Sequence, residues 1–485
     1  MNSLKKVKNG FSYELNGWKY VSISGSPQKR GYAYGFLVAD EMKKVFEMLN
    51  FVIYESFGEK WSYFVDASTL LFKDKIQQNF PEFYEEMLGI TEGCIAAGVK
   101  TSIEEIIAWN NYFTLTENWY PNKDASSDSA QKSKIRKGEG GGATERCSAF
   151  IAVGDYTKDG KIVVAHNNFS EFVDGQFARI VLDLKPDNGA RMLIQGFPGW
   201  IWSGTDFFVT SYGFIGTETT IGGFLPWENN IPICCRIRKA MQYGKTLDDY
   251  VNFLLENNSG DYANSWLFGD VNHNEILRLE LGLKYHKVDR TKNGFYIGFN
   301  APYDPRIRNL ECANTGFDDI RRHQGARRVR LGQLMKEYKG KLDVESAQRI
   351  LADHYDVYLN KENPCSRTCC SHYNLDAREY MSDPSRPKPF QPRGAIDGNV
   401  CTTALAKNMS FVLRYGNSCG IPFYKDTFCD ENMQWDQLRP YLHDRPTQPW
   451  TLFQISNKVH KVSSVKKKKQ MNKTNKKSVK KIVAE

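Results

Sequence analysis

The chain has 485 residues, 41% hydrophobic and 13% aromatic, a composition that excludes a disordered or fibrous polymer and implies a folded protein with a large core. Its net charge of +9 does not mark a nucleic-acid binder, because eleven lysines and one glutamate fall within residues 458–485. That tail carries +10, which leaves −1 (9 less 10) for residues 1–457, so sequence-specific nucleic-acid reading is not expected.

In chain order, residues 1–120 are expected to form a mainly helical N-terminal region. ADEMKKVFEMLNFVIYESF and FPEFYEEMLGITEGCIAAGV place apolar residues three and four apart. Ser102 and Glu105 make a capping box ahead of IIAWNNYFTL. Residues 121–146 are polar, rich in glycine and serine, and aperiodic, as in a flexible linker; they end at Arg146-Cys147.

Residues 147–457 open as a strand-rich region. Hairpins are predicted across Lys158-Asp159-Gly160, across Pro186-Asp-Asn-Gly189 and across Ser211-Tyr-Gly213. Two more are expected, NSWLFGD through VNHN into EILRLELGL, and KYHKVD through RTKNG into FYIGFN. Several of these strands are continuous apolar runs, as in sheets covered on both faces. Helices are expected around 235–256 and again from RRVRLGQLMKEYKG to VESAQRILADHYDVYL. Helices, then hairpins, then helices predict an α+β layered protein.

Residues 458–485 have too little apolar content to order themselves. The tail is a localisation signal or a tether to an anionic surface, or simply a solubilising end. No run approaches the roughly 18 apolar residues of a membrane span, and the N-terminus lacks the apolar h-region of a secretory signal. Eleven cysteines, odd in number and without framework spacing, suit a reducing compartment. An intracellular, cytoplasmic location is expected.

The stretch CSAFIAVGDYTKDGKIVVAHNN, residues 147–168, carries the chemical question. If the first strand ends at Val153 and the second begins at Lys161, Cys147 pairs with Asn167, beside His166. Cys147 is then either a small buried thiol or a nucleophile that needs a base. His166 could be that base. Alternatively, the chain could break between Arg146 and Cys147, freeing an α-amino group with a pKa near 8. A polar linker ending at the first residue of a buried strand suits the second arrangement.

The order of linker, Cys-Ser-Ala-Phe, strand, Lys-Asp-Gly, strand and Ala-His-Asn-Asn resembles the N-terminal-nucleophile (Ntn) hydrolases of the acyl-coenzyme A:6-aminopenicillanate acyltransferase family. It is also similar to the phospholipase B-like proteins. SGSP with RGYAYG at 24–35, GFPGWIWSGTDFFVTSYGFIGTETTIGGF, DYANSWLFGDVNHNEILRLELGL, GFYIGFNAPYDP and GARRVR extend the resemblance over roughly residues 20–455. It implies a four-layer αββα fold and self-cleavage before Cys147. It further implies Cys147 as nucleophile, Asn300 near the oxyanion, and Arg327 as a positive field that lowers the thiol pKa, with Arg328 as its rival. His166 and Asn167 match the His-Asn of the phospholipase B-like pattern, and Asn264 is a candidate for the site wall. The Arg-Asn-x-Asp usual in the acyltransferase and bile-salt enzymes reads His166-Asn167-Asn168-Phe169 here, and Thr210 replaces an asparagine of the bile-salt group.

The aromatic run with Trp200, Trp202, Phe207 and Phe208 either lines an acyl pocket, with Trp202 as a substrate contact, or packs between layers. Cys365-Ser-Arg-Thr-Cys369-Cys370-Ser-His372 lacks a second ligand pair at zinc-module spacing and reads as loop thiols. No metal or other cofactor is implied. The leading expectation is a self-processing thiol enzyme that cleaves or transfers an acyl group from an amide of a small molecule. The alternatives are a phospholipase B-like hydrolase of lipid esters, or an inactive relative that binds a lipid or a partner.

Overall fold

The hairpin signals at Lys158-Asp159-Gly160, 186–189 and 211–213 all close antiparallel strand pairs. A computed structural model of the chain describes residues 4–123, 147–313, 315–377 and 389–455. Its strands are, in order, β1 Lys5–Val7, β2 Gly10–Leu15, β3 Trp18–Gly25, β4 Cys147–Val153, β5 Val163–Glu171, β6 Ile180–Pro186, β7 Met192–Gly196, β8 Gly204–Thr210, β9 Phe214–Thr220 and β10 Asn264–Asp270. They continue as β11 Glu275–Leu281, β12 His286–Thr291, β13 Gly294–Gly298, β14 Tyr355–Asp356, β15 Lys361–Glu362, β16 Arg393–Ala395, β17 Asp397–Thr402, β18 Ser410–Tyr415 and β19 Thr451–Gln454.

One sheet runs β1-β2-β3-β6-β7-β8-β9-β10-β11-β12, and a second runs β13-β4-β5-β17-β18-β19 with β16 paired to β5. The N-terminal stretch expected to be mainly helical therefore begins with three strands, and β3 pairs in parallel with β6. The pattern of Trp18, Tyr20, Val21 and Ile23 is a buried strand's, and long-range pairing decided it. The last expected hairpin also differs: β12 pairs with β11, whereas β13 leaves for the other sheet and pairs with β4.

Strands β4, β7, β8, β9 and β10 are buried at every residue, which explains apolar runs such as AFIAV in β4 and MLI in β7. Alternate residues face different layers. Ala149 and Ile151 of β4 meet Ile215 and Leu267 of the larger sheet between the two sheets. Phe150 and Ala152 turn outward onto Leu331, Leu334 and Ile350 of two helices. The outer face of the larger sheet, including Trp266 and Phe268, packs against the N-terminal helices. Described residues up to Ile455 pack as one compact unit.

The helices used below are α1 Pro27–Leu37, α2 Ala39–Phe57, α3 Pro81–Ala96, α4 Ile103–Asn110, α5 Ile233–Tyr243, α6 Leu247–Leu255, α7 His323–Glu337 and α8 Val344–Leu351. Four-residue spacing puts Gly31 and Gly35 on one face of α1, and Gly89 and Gly93 on one face of α3. A Cβ at Gly93 would lie 2.1 Å from the Tyr32 carbonyl oxygen, and one at Gly31 would lie 2.1 Å from that of Glu86. The two backbones thus touch without side chains between them. Beside this contact the buried Glu86 accepts from Arg30 Nε at 2.7 Å and from Arg238 Nη2, on α5, at 2.8 Å. Gly93→Ala is expected to destabilise the fold by about 1–3 kcal/mol through forced separation of the helices. Gly332→Ala, in α7 where an added Cβ meets nothing, should be neutral or stabilising by up to about 1 kcal/mol. Chemical denaturation of the two variants checks the contrast.

Candidate active site

Cys147 opens β4, and its neighbours follow from the β4–β5 register. Cys147 lies opposite Asn168, Ser148 opposite Asn167 and Ala149 opposite His166. The register is one residue away from the expected pairing: the ladder ends at Ala152 opposite Val163, where Val153 opposite Lys161 was expected. A one-residue slip exchanges the faces of a strand. Cys147, Ala149, His166 and Asn168 therefore share the face between the sheets, and Asn167 turns to the other. There Asn167 Nδ2 donates to the carbonyls of Leu351 at 2.8 Å and Cys369 at 2.9 Å, tying β5 to the loop beyond α8.

The main chain of Cys147 is held at both ends. Its N–H donates to Asn300 Oδ1 at 3.2 Å. Arg327 Nη1 donates to the Cys147 carbonyl at 2.5 Å, and Arg327 Nη2 to Asn300 Oδ1 at 2.7 Å. Asn300 Nδ2 donates to the Thr220 carbonyl at 2.7 Å. Because arginine only donates and a carbonyl only accepts, the asparagine amide can sit one way round. One Nδ2 hydrogen remains beyond the bond to Thr220. Asn300 has φ +68°, in the left-handed region that asparagine tolerates. The first turn of α7 supplies Arg327. Its neighbour Arg328 points outward, donating to the Phe317 carbonyl and to Asp318. Arg146 lies outside the described residues.

Acidic groups surround the sulfur. Glu218 Oε1 lies 3.6 Å from Cys147 Sγ and 3.3 Å from the Tyr262 hydroxyl, which also donates to Asp206 Oδ2 at 2.5 Å. These acids sit where the larger sheet opens: β8 and β9 are seven residues each but pair only at Phe208–Gly216 and Val209–Ile215. Asp206, at φ +61°, lies just past the last pair. Asn264, on β10, is fully buried opposite Thr220 of β9, and neither its amide oxygen nor its nitrogen has a hydrogen-bond partner among the described residues. Glu218 Oε2 and His166 Nε2 are likewise buried. Trp202 packs edge-on against Tyr262 at 5.6 Å and stacks on Trp200 at 4.8 Å, behind the acids.

Burial drives these groups toward their neutral forms. It raises the Cys147 thiol well above the ordinary cysteine value, with Glu218, Asp206 and Asp397 adding to the effect. The lowered thiol pKa expected from Arg327 is thus not the resting condition: the guanidinium bonds to the carbonyl of Cys147 and the acids face its sulfur. Burial and the neighbouring Asp206 raise Glu218. Burial lifts Asp397 to about 7, opposed by hydrogen bonds from Asn168, Gln195 and Asn399. His166, whose Nδ1 lies 3.3 Å from Asn399 Nδ2, is pushed down to about 3 by burial.

Cys147, His166 and Glu218 place one donor atom each within 4.8 Å of one another, a set that could hold a metal as well as move protons. Surface clefts of 370 and 710 Å³ lie elsewhere, around Tyr243 and Arg321. Charge and reactivity, not cleft volume, locate this site. Glu218, Asp206, Tyr262 and Asp397 were not singled out from sequence. The available signal was a glutamate in the middle of the otherwise uncharged strand FIGTETT.

Fold and site together define a mixed α/β protein with a buried thiol clamped at the first residue of a strand between two sheets. The phospholipase B family model matches residues 32–464, and the chain belongs to that family. It is 24% identical over 363 residues to phospholipase B-like 2 of Rattus norvegicus, covering 65% of this chain and 56% of the rat protein. With the Mus musculus counterpart it shares 22% over 494 residues, covering 88% and 78%. Phospholipase B-like 1 of Homo sapiens matches at 22% over 297 residues, covering 53% and 48%. The chain thus spans little more than half of the rat relative's length.

His166 binds fewer protons folded, with a pKa of about 3, than unfolded, at 6.5. Its stabilising contribution is full above pH 6.5 and is lost as pH falls toward 3. Unfolding free energies of the wild type and His166→Gln, measured from pH 4 to 7, should therefore diverge. The wild type gains on the variant by up to about 1.4 kcal/mol per pH unit as pH rises to 6.5.

Proposed function

We propose that the protein is an acyl-ester hydrolase acting on lipid, built as an Ntn hydrolase of four-layer αββα form. Cys147 is the nucleophile and its own α-amino group the base, freed by cleavage of the Arg146–Cys147 bond. The observation that carries this reading is the clamp of Asn300 and Arg327 on the main chain of Cys147. Asn300 Oδ1 already accepts from the Cys147 nitrogen. After cleavage the same contact would orient the amine and aim its lone pair along the residue's own side chain. An amine with an ordinary pKa near 8 is a competent base at neutral pH, whereas an imidazole held near 3 is a poor one. This favours the amine over a thiol–imidazole pair.

In the proposed reaction the sulfur attacks the ester carbonyl while the amine takes the thiol proton. The remaining Asn300 Nδ2 hydrogen, with backbone amides, meets the developing oxyanion. Collapse breaks the bond to the leaving alcohol, which takes the proton back from the ammonium. Water, deprotonated by the amine, then attacks the thioester; the carbon–sulfur bond breaks, the acid leaves and the thiolate takes the proton back from the ammonium. Glu218, held toward its acid form, keeps negative charge low while the oxyanion forms. Amide transfer would pass through the same thioester. Membership of the phospholipase B family weighs toward the lipid ester, and the unpartnered amide of Asn264 is a candidate contact for a polar headgroup. The lysine-rich tail suits an anionic lipid surface, where each lysine adds about 1 kcal/mol of attraction.

Intact mass and N-terminal sequencing of wild type beside Cys147→Ala test the processing step. Two fragments are expected in the wild type, one beginning Cys-Ser-Ala-Phe, against a single chain in the variant. A stable uncleaved wild type would remove the amine base. Release of labelled fatty acid from phosphatidylcholine micelles tests the substrate class. Asn300→Ala should lower kcat by about 10²–10³-fold with KM little changed. Release of acyl groups only from amides would reject the lipid-ester reading.

A further inference from the structure

All eleven cysteines are free thiols, and two of them lie with two histidines far from Cys147 in sequence. His354, Cys370, His372 and Cys419 each offer one ligand atom, and these atoms all fall within 4.8 Å of one another. His372 Nε2 is 3.3 Å from Cys370 Sγ and 3.4 Å from Cys419 Sγ. A tetrahedral zinc with Zn–S of about 2.3 Å and Zn–N of about 2.0–2.1 Å has S···N edges of about 3.6 Å, so the spacing is close to that of a ligand cage. The imidazoles of His354 and His372 stand 5.1 Å apart at 68°. His354 Nε2 is buried.

The neighbouring thiols do not join this group. Cys365 Sγ donates to Asp356 at 3.6 Å, and Cys369 packs into the apolar layer with Leu331 and Val400. The run from Cys365 to His372 thus contributes two ligands, and the missing pair comes from His354 and from Cys419 in the loop after β18.

We propose that His354, Cys370, His372 and Cys419 hold a structural zinc ion. Two thiolates and two imidazoles are the donor set of a tetrahedral zinc site, and four protein ligands leave no open position for catalysis. The ion would join two loops behind β5. His372 bridges to Gly394 of β16, which pairs with Ser170 of β5. The Leu351 carbonyl accepts from both Asn167 Nδ2 and Ser418 Oγ. The site would therefore fix the backing of the strand that carries His166, whatever reaction Cys147 performs.

Metal analysis of the full-length protein, purified without chelator under reducing conditions, tests this. One zinc per chain is expected, retained in Cys147→Ala and Cys365→Ser and lost in Cys370→Ser and Cys419→Ser. Retention in the first variant separates this ion from one bound at Cys147, His166 and Glu218. Should the last two variants fail to fold, cobalt exchanged into the wild type decides. Tetrahedral d–d bands with a thiolate charge-transfer band support the site, and their absence rejects it. A metal-free protein with peptide mapping that shows a Cys370–Cys419 disulfide would overturn the proposal, as would a metal-free protein in which both thiols alkylate readily without chelator.

Discussion

A single buried guanidinium joins three separate parts of the chain. Arg327, on α7, donates to the carbonyl of Cys147, the hydroxyl of Ser148, the amide oxygen of Asn300 and the carbonyl of His323, with Phe169 5.2 Å from its centre. A charge removed from water is costly unless its donors are met, and the planar fork of arginine can meet several acceptors at once. Moving any one of β4, α7 or the segment after β13 would leave a donor unmet. The position of Cys147 is therefore held from the main-chain side, and its sulfur is left to the opposite side, where the acids stand.

The electrostatics of that opposite side follow from burial. The thiol, Glu218 and Asp397 are raised and His166 is lowered, so each shift favours an uncharged group. Such a centre favours the protonated thiol and acid beside an unprotonated imidazole too weak to be a strong base. The proposed α-amine would fill that shortage. The opening between β8 and β9 makes the arrangement possible. A fully paired ladder would close the sheet at this point, whereas at the opening Glu218 lies beside the thiol and Tyr262 bonds to Asp206 next to it.

The outer layers stabilise this geometry in different ways. On the larger sheet, glycine faces bring α1 and α3 into backbone contact, and the buried Arg30–Glu86–Arg238 group links them to α5. On the smaller sheet, α8 and the loops around Cys370 and Cys419 back β5 through Asn167. An asparagine beside a candidate catalytic histidine thus has an architectural contact, which the alternation of a strand requires of one of any two adjacent residues.

Local chemistry was legible in the sequence. Three hairpins closed at turns that contain glycine, apolar runs such as AFIAV became strands covered on both faces, and Cys147 stood at a strand's first residue. Tertiary structure decided the rest. Contacts from Cys147 to Asn300 and Arg327 span 153 and 180 residues. The register that puts His166, and not Asn167, on the face shared with Cys147 lies one residue from the expected pairing. The strands before Pro27 gain their order from β6, and His354 and Cys419 reach Cys370 and His372 only through folding. Turn and strand preferences act over a few residues and can be read along a chain. A buried charge or a ligand cage depends on partners that only the packed layers bring together.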